Sequence, residues 1–175
     1  MEYKAIVSDD VTELILDDHA TFRRLFARVD ATSDANDLRH LWFELGPLLR
    51  AHAVAEEESF YPELLKSAHD DDDVRDAIKD HNEIRDAVND SDRYEVASDA
   101  WRDAVRRARD ANSDHMAEEE RGPLAVARKR MPMEQRIQIG LHFLRLRNAF
   151  PSGETGKDDH DKNPDRYVKE HETAE

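Results

Sequence analysis

Hydrophobic residues recur every three or four positions along most of this chain, with polar residues between them. That spacing places the hydrophobic side chains on one face of an α-helix, so the pattern predicts amphipathic helices rather than strands. Ser8, Asp9 and Asp10 supply the capping chemistry that begins the first helix. The predicted helices cover five segments, at about 8–30, 36–66, 74–90, 96–121 and 133–150.

Two features interrupt this pattern. Gly46 and Pro47 fall inside the second segment. Because proline removes a backbone donor and clashes with the preceding turn, they predict a kink or a broken first half. Beyond Pro151 the chain is polar, and Tyr167 and Val168 are its only sizeable hydrophobic residues. So little apolar surface predicts a mobile or surface-draped tail.

Helices joined by short connections pack most simply as an antiparallel bundle. We therefore predict an all-α fold, an up-down-up-down four-helix bundle with a fifth C-terminal helix and a polar tail. The length of 175 residues suits one domain with a substantial core. This divides the chain into a helical bundle over 1–150 and a tail over 151–175.

Charge and composition exclude several classes of function. The chain carries 41 acidic and 26 basic residues, and its net charge of -15 repels nucleic-acid phosphates and anionic membranes. It contains no cysteine, which excludes iron–sulfur clusters, thiolate zinc sites and cysteine nucleophiles. The first 19 residues lack the pattern of a secretory signal, and no stretch resembles a membrane helix. We expect a cytoplasmic protein without nucleic-acid or membrane partners.

Histidines lie on the hydrophobic face of four predicted helices, at His19, His52, His81 and His115. Two of them are followed by a glutamate on the same face, four positions later, as His52–Glu56 and His115–Glu119. A buried carboxylate without a partner is strongly destabilising, and a bound cation would remove that cost. These residues are therefore candidate metal ligands.

The intervals between successive histidines are nearly equal, at 33, 29 and 34 residues. In an up-down-up-down bundle, the chain returns to the same depth after half of one helix, a loop and half of the next helix. Nearly equal intervals therefore place the four imidazoles in about one layer. Four imidazoles and two carboxylates exceed what one tetrahedral zinc ion needs. Two six-coordinate ions that share carboxylates use the whole set, and the ligand chemistry permits iron, manganese or zinc.

The segments that carry these residues are DDH at 17–19, HAVAE at 52–56, DHNEIR at 80–85 and HMAEE at 115–119. In them the chain resembles the hemerythrin-like HHE cation-binding domains, over about residues 10 to 150. The resemblance implies a non-heme diiron centre, oxo- or hydroxo-bridged, inside a four-helix bundle. The terminal ligands that it implies are His19, His52, His81 and His115. The ligands that it implies as bridges between the two metals are Glu56 and Glu119.

The sequence departs from oxygen-carrying hemerythrins at Arg85, where those proteins have a second histidine. This does not favour reversible oxygen carriage. Their fourth-helix carboxylate lies five residues after the histidine, so Glu119 and Glu120 are both candidates for the bridge, and Glu57 is a weaker alternative to Glu56. Arg85 either reaches inward to stabilise a bound anion or extends to the edge of the bundle, and the second is the stronger expectation.

The leading hypothesis is a diiron protein that interacts with O2, peroxide or NO, in an oxidative or nitrosative stress response, in sensing or in iron handling. A catalase-like decomposition of peroxide would make it an enzyme. The alternative is a metal-independent helical scaffold that binds a protein partner through its acidic surface.

Overall fold

The computed structural model describes residues 9–149 and 160–172, which are almost entirely helical and contain no strand. In chain order the elements are α1 (Val11–Ala31), α2 (Ala35–Ala55), a π-helical segment (Glu56–Phe60), α3 (Tyr61–Ala68), α4 (Asp71–Ser91), α5 (Asp99–Arg121), α6 (Pro123–Arg130), α7 (Met133–Ala149) and α8 (Pro164–Glu172). The predicted all-α fold is confirmed.

The four-helix bundle consists of α1, α2, α4 and α5. Helix α1 packs against α2 and α5, and α4 packs against the same two helices. Helix α7, the predicted fifth helix, lies against α1 and α2, and α8 lies against α3 and α4. Within the described part of the chain, no helix combines the length and hydrophobicity needed to cross a membrane.

Local sequence determines where the bundle helices begin. Asp10 and Asp34 each accept a hydrogen bond from a backbone N–H in the first turn of α1 and α2. Ser98 does the same for α5, 3.2 Å from the backbone nitrogen of Trp101. These caps pair amides that a helix leaves without an internal partner. Ser8, predicted as part of the first cap, lies outside the described residues.

The apolar core consists of two clusters, one toward each end of the bundle. On α1, His19 lies between Ile15 of one cluster and Phe22 of the other. His52 on α2 and His81 on α4 occupy the same boundary. The hydrophobic packing above and below therefore fixes the depth of the layer that holds the buried polar residues.

The second predicted helix loses its regular α-geometry at a later position than the sequence predicts. Helix α2 continues through Gly46 and Pro47, so a break there is wrong, whereas a kink at this point stays a prediction. The carbonyl that Pro47 leaves unpaired belongs to Phe43, which is 81% exposed, so water can satisfy it. The departure from α-geometry comes later, in the π-helical segment.

The polar tail contains a helix that its composition did not predict. Residues 160–172 include α8, and its Tyr167 and Val168 are 5% and 3% exposed among side chains of the apolar core. Those two hydrophobic residues are thus the ones that dock the segment. Phe150, predicted within the fifth helix, and the tail at 151–159 and 173–175 lie outside the described residues. The domain boundary near residue 150 stays a prediction.

Gly140 permits a close contact between α7 and the start of α1. A Cβ atom at this position would lie 1.8 Å from the carbonyl oxygen of Asp9, so no larger residue fits. On the same helix, the Phe143 ring lies edge-on to His52, with centroids 5.7 Å apart. The close passage of α7 therefore helps to cover the buried polar layer.

Candidate metal centre

The structure brings the six predicted ligand residues into one buried cluster, and each of them is at most 4% exposed. Their nitrogen and oxygen atoms form two groups, each within 4.8 Å. The first group contains His19, His52, Glu56 and Glu119, and the second contains Glu56, His81 and His115. Glu56 belongs to both groups.

Glu56 turns one carboxylate oxygen toward each group. Its Oε1 lies 2.9 Å from Nε2 of His52, and its Oε2 lies 3.1 Å from Nε2 of His81. Nε2 of His81 in turn lies 3.2 Å from Nε2 of His115. The imidazoles thus converge on Glu56 through the nitrogen that is farther from the backbone.

Glu119 lies beside both groups but is held differently. Its Oε2 is 3.3 Å from Nε2 of His19 and 4.0 Å from Nε2 of His115. Its Oε1 accepts a hydrogen bond of 2.8 Å from the hydroxyl of Tyr61, whose second contact is Oε2 of Glu56 at 3.3 Å. Tyr61 therefore connects the two carboxylates.

The π-helical segment explains the direction of Tyr61, which Pro62 leaves open in the sequence. The backbone N–H of Tyr61 bonds to the carbonyl of Glu56, five residues earlier. In this wider turn, residues five apart share one face, whereas in an α-helix they do not. Tyr61 is consequently fully buried, with its hydroxyl in the cluster. Burial, and then the Glu119 charge, raise the pKa of Tyr61 well above its ordinary value.

Each imidazole also has a carboxylate behind it, next to Nδ1. These outer carboxylates and their distances are Glu120 to His19 at 2.9 Å, Asp18 to His52 at 2.9 Å, Glu57 to His81 at 2.9 Å and Asp80 to His115 at 3.5 Å. A carboxylate in this position fixes the tautomer and orientation of an imidazole and raises its basicity as a ligand. All four histidines are therefore oriented with Nε2 toward the cluster.

These contacts separate the alternatives that the sequence leaves open. Glu119 lies inside the cluster, whereas Glu120 bonds to the outer nitrogen of His19 and to Arg23. Glu56 lies inside, whereas Glu57 bonds to the outer nitrogen of His81. The carboxylates next to the cluster residues thus occupy the outer positions.

Four atoms at the centre of the cluster make no hydrogen bond of good geometry, although they lie in two close pairs, His52 with Glu56 at 2.9 Å and His19 with Glu119 at 3.3 Å. They are Nε2 of His19, Nε2 of His52, Oε1 of Glu56 and Oε2 of Glu119. Together these atoms belong to the first group. Buried polar atoms almost always make well-formed hydrogen bonds, so nitrogen and oxygen atoms that face one point without them fit a cation in both position and donor chemistry.

The charges of the cluster are set by burial and by these contacts. Burial alone lowers the pKa of an imidazole, but the Glu56 charge and the hydrogen bond to Asp18 outweigh it and raise the pKa of His52 to about 10. Hydrogen bonds to Glu56 and Glu57 similarly outweigh burial and raise the pKa of His81 to about 9. Without a cation, therefore, protons on imidazoles balance the buried carboxylates.

Glu57 is the centre of a second buried set of charges behind His81. Its Oε1 lies 2.9 Å from Nδ1 of His81 and accepts a 3.0 Å hydrogen bond from Arg85. Its Oε2 accepts a hydrogen bond from Lys162, and its backbone carbonyl accepts one from Tyr167. Burial raises the pKa of a carboxyl group, but His81, Arg85 and Lys162 outweigh it and lower the pKa of Glu57 to about 2.

Arg85 does not extend to the edge of the bundle, so that expectation is wrong. The residue is 3% exposed, and its guanidinium bonds to Glu57 and to Asn82 and lies 3.7 Å from Asp161. Glu57 supplies the charge that permits this burial. The arginine therefore acts one layer behind His81, outside both groups of the cluster.

Sequence reasoning missed Asp18, Asp80 and Lys162 as parts of the site, and it did not assign a role to Tyr61. It named Glu57 and Glu120 as alternative bridges but not as outer carboxylates. One signal was present for Asp18 and Asp80, because each directly precedes a histidine. Adjacent helical residues do not face each other, and Asp80 in fact lies 3.5 Å from Nδ1 of His115 on the neighbouring helix, not against His81. Lys162 arrives from the tail, so no helical spacing connects it to the site.

A helical bundle that buries histidines and glutamates from neighbouring helices at one depth defines a class of cation-binding proteins. The chain matches a family model described as the hemerythrin HHE cation binding domain over residues 10–126. That match includes every residue of the cluster. The chain belongs to the hemerythrin HHE cation-binding domain family.

A curated protein named DNA nickase, from Nostoc sp. (strain PCC 7120 / SAG 25.82 / UTEX 2576), is 25% identical to this chain over 134 residues. The alignment covers 77% of this chain and 38% of that protein, so the chain spans about two-fifths of that relative's length. No solved structure matches the chain.

Proposed function

We propose that this protein holds two iron ions in the buried cluster and interacts there with O2, peroxide or NO. The observation that carries the proposal is the convergence of buried donor atoms on His19, His52, Glu56 and Glu119, none of which makes a well-formed hydrogen bond there. A metal-independent scaffold has no use for buried donors aimed at one point, so we do not favour that alternative. Manganese or zinc would also fit these ligands.

One ion would be held by the first group and the other by the second, with Glu56 shared. Six protein ligands leave open positions on two six-coordinate ions. The second group has three members and the first has four, so the ion beside His81 and His115 would have more room for an added ligand. Glu119 is the proposed second bridge, because its Oε2 lies between His19 and His115.

Iron supplies redox chemistry when bound. The residues of this chain supply orientation and a dry environment. The outer carboxylates hold the imidazoles in one tautomer, and Tyr61 holds Glu119 through a hydrogen bond of 2.8 Å. Phe22 and Phe143 lie against His52 at ring distances of 5.0 and 5.7 Å and exclude water from that side.

The test of this function is a titration of the iron-loaded protein with NO, O2 and H2O2 in turn, followed by ultraviolet and visible absorption. We expect at least one of them to change the spectrum saturably. Sustained release of O2 from H2O2 would make the protein a catalase-like enzyme. A protein with two bound irons that responds to none of these ligands would contradict the proposal.

Asp18→Asn is expected to weaken metal binding about 10- to 100-fold, the usual effect of losing a carboxylate behind a ligating histidine. Asp18 lies 2.9 Å from Nδ1 of His52 and 3.1 Å from Arg147. The measurement is a metal titration against a competing chelator. Asp17→Asn, one position earlier and exposed, is the matched control. Equal affinities for the two variants would contradict this role.

Metal binding is expected to release about two protons at pH 7, because the raised pKa values of His52 and His81 keep both imidazoles protonated in the metal-free protein. Affinity should then rise with pH until these groups lose their protons near pH 9 to 10. Calorimetry in buffers of different ionisation enthalpy counts the protons. An affinity independent of pH between 6 and 8 would rule out this coupling.

The cellular role is proposed only by class: a stress response to oxidants or NO, sensing, or iron handling. A cytoplasmic location and the absence of nucleic-acid and membrane partners stay predictions. We do not extend nicking of DNA to this chain, because the likeness covers 38% of that relative. The net charge of -15 also opposes binding to a polyanion.

A further inference from the structure

A small cavity opens at the surface between α4 and the end of α5 and leads to the cluster. His115 and Glu119 contribute to its wall, together with Ala77 and Pro123. Its water-accessible volume is about 40 Å³. A single water needs roughly 10–15 Å³ on this measure, so the cavity admits water or a single ion but not an organic molecule.

The remaining residues of this cavity are carboxylates. We call them the acidic portal: Asp73, Asp76, Asp80 and Glu118. Asp73, Asp76 and Glu118 are exposed, whereas Asp80 is half-buried with its carboxylate 3.5 Å from Nδ1 of His115. The portal therefore runs from exposed carboxylates to a carboxylate that touches the cluster.

The inner end of the cavity reaches a buried residue of the cluster, Glu119. Glu119 is 2% exposed, and its Oε2 makes no well-formed hydrogen bond, although it lies 3.3 Å from Nε2 of His19. His115, beside it, is also 2% exposed. This buried oxygen is independent of the exposed acids, and it marks the point at which a cation that passes the portal would be held.

The cavity is lined by four carboxylates of the portal, and no lysine or arginine contributes to its wall. Elsewhere acids pair with arginines, as Asp30 does with Arg109 and Asp90 with Arg107. In the described part of the chain, no lysine or arginine forms an ion pair with the three exposed acids of the portal. Arg75, Lys79 and Arg121 lie near these acids along the chain, but none of them lines the cavity, so its wall carries an excess of negative charge.

We propose that the acidic portal collects divalent metal ions from solution and passes them to the buried cluster. The proposal rests on the proposed function, since it needs a metal site inside. A cleft lined by charges of one sign raises the local concentration of counter-ions and can increase association rates about 10- to 1,000-fold. The portal thus governs how fast the site fills, whereas the cluster governs how tightly it binds.

The test is the rate at which metal-free full-length protein takes up Co²⁺, followed by stopped-flow absorption. The portal variant is the triple substitution Asp73→Asn, Asp76→Asn and Glu118→Gln, which leaves Asp80 intact. We expect uptake at low salt to be at least about 10-fold slower than in the wild type. At 1 M salt, where the screening length is about 3 Å, the difference should largely disappear. The final number of bound ions should not change.

The matched control carries the same change of net charge at the opposite end of the bundle and in the loop before α5: Asp37→Asn, Glu44→Gln and Glu95→Gln. We expect its uptake rate to stay within about twofold of the wild type, because these acids do not line the cavity and a charge acts more weakly on an entering ion as its distance grows. A second pair, Asp76→Lys against Glu44→Lys, reverses a single charge and is expected to show the same contrast.

Equal slowing of the portal and control variants would overturn the proposal, because it would indicate a general effect of net charge. A portal variant that takes up Co²⁺ at the wild-type rate would overturn it as well. In both cases the protein would still bind Co²⁺, so the proposed metal site would stand. A wild-type protein that binds no Co²⁺ and no iron would instead overturn the proposed function together with the portal.

Discussion

Glu56→Gln is expected to remove both metal ions from the protein. Glu56 directs one oxygen to His52 at 2.9 Å and the other to His81 at 3.1 Å, so it is the residue that the two groups share. Glutamine keeps the shape but is neutral and presents an NH2 donor to one of the groups. We expect affinity at both positions to fall by more than the roughly 10- to 100-fold caused by losing an outer partner.

Elemental analysis of iron-loaded protein after gel filtration measures this loss. Glu58→Gln is the matched control, because it makes the same chemical change in the same π-helical segment outside the cluster. The control should retain the metal content of the wild type. A Glu56→Gln protein that keeps two ions with wild-type affinity would show that Glu56 is not the shared ligand.

Glu57→Ala is expected to destabilise the fold strongly, even without metal. The substitution removes the carboxylate that faces Arg85 at 3.0 Å and the outer nitrogen of His81 at 2.9 Å. Arg85 is 3% exposed and would lose this close charge, while its contacts with Asn82 and the more distant Asp161 would remain. Removing one partner of a buried ion pair costs about 3–5 kcal/mol, which lowers the melting temperature by about 6–20 °C in a chain of this size.

Thermal unfolding in the presence of a chelator isolates this effect from metal binding. The double variant Glu57→Leu with Arg85→Met removes both partners and is expected to lose less stability than Glu57→Ala. A Glu57→Ala protein that melts within about 2 °C of the wild type would mean that Arg85 finds adequate compensation from its other neighbours.

The bundle and the six cluster residues are predictable because they rest on one regular feature, the spacing of side chains on a helix. His19, His81 and the His52–Glu56 pair interrupt hydrophobic faces, and a residue on such a face must point inward. Equal chain intervals then align the helices in depth. No knowledge of loops or of helix contacts is needed for this step.

The features that were missed depend on irregular backbone or on tertiary contacts. The π-helical segment changes the face on which Tyr61 lies, and nothing in the spacing of residues 56–60 signals the wider turn. Arg85 is buried because Glu57 faces it, and that pairing joins two helices. Lys162 reaches Glu57 because Tyr167 and Val168 dock α8, although two apolar residues are weak evidence for a helix in a sequence.

An anomalous-difference electron-density map, measured at the iron absorption edge from crystals of iron-loaded protein, tests the central claim most directly. We predict two peaks inside the bundle. One should lie among His19, His52, Glu56 and Glu119, and the other among Glu56, His81 and His115. A single peak, a peak outside this cluster, or none in crystals grown with iron would contradict the two-metal centre.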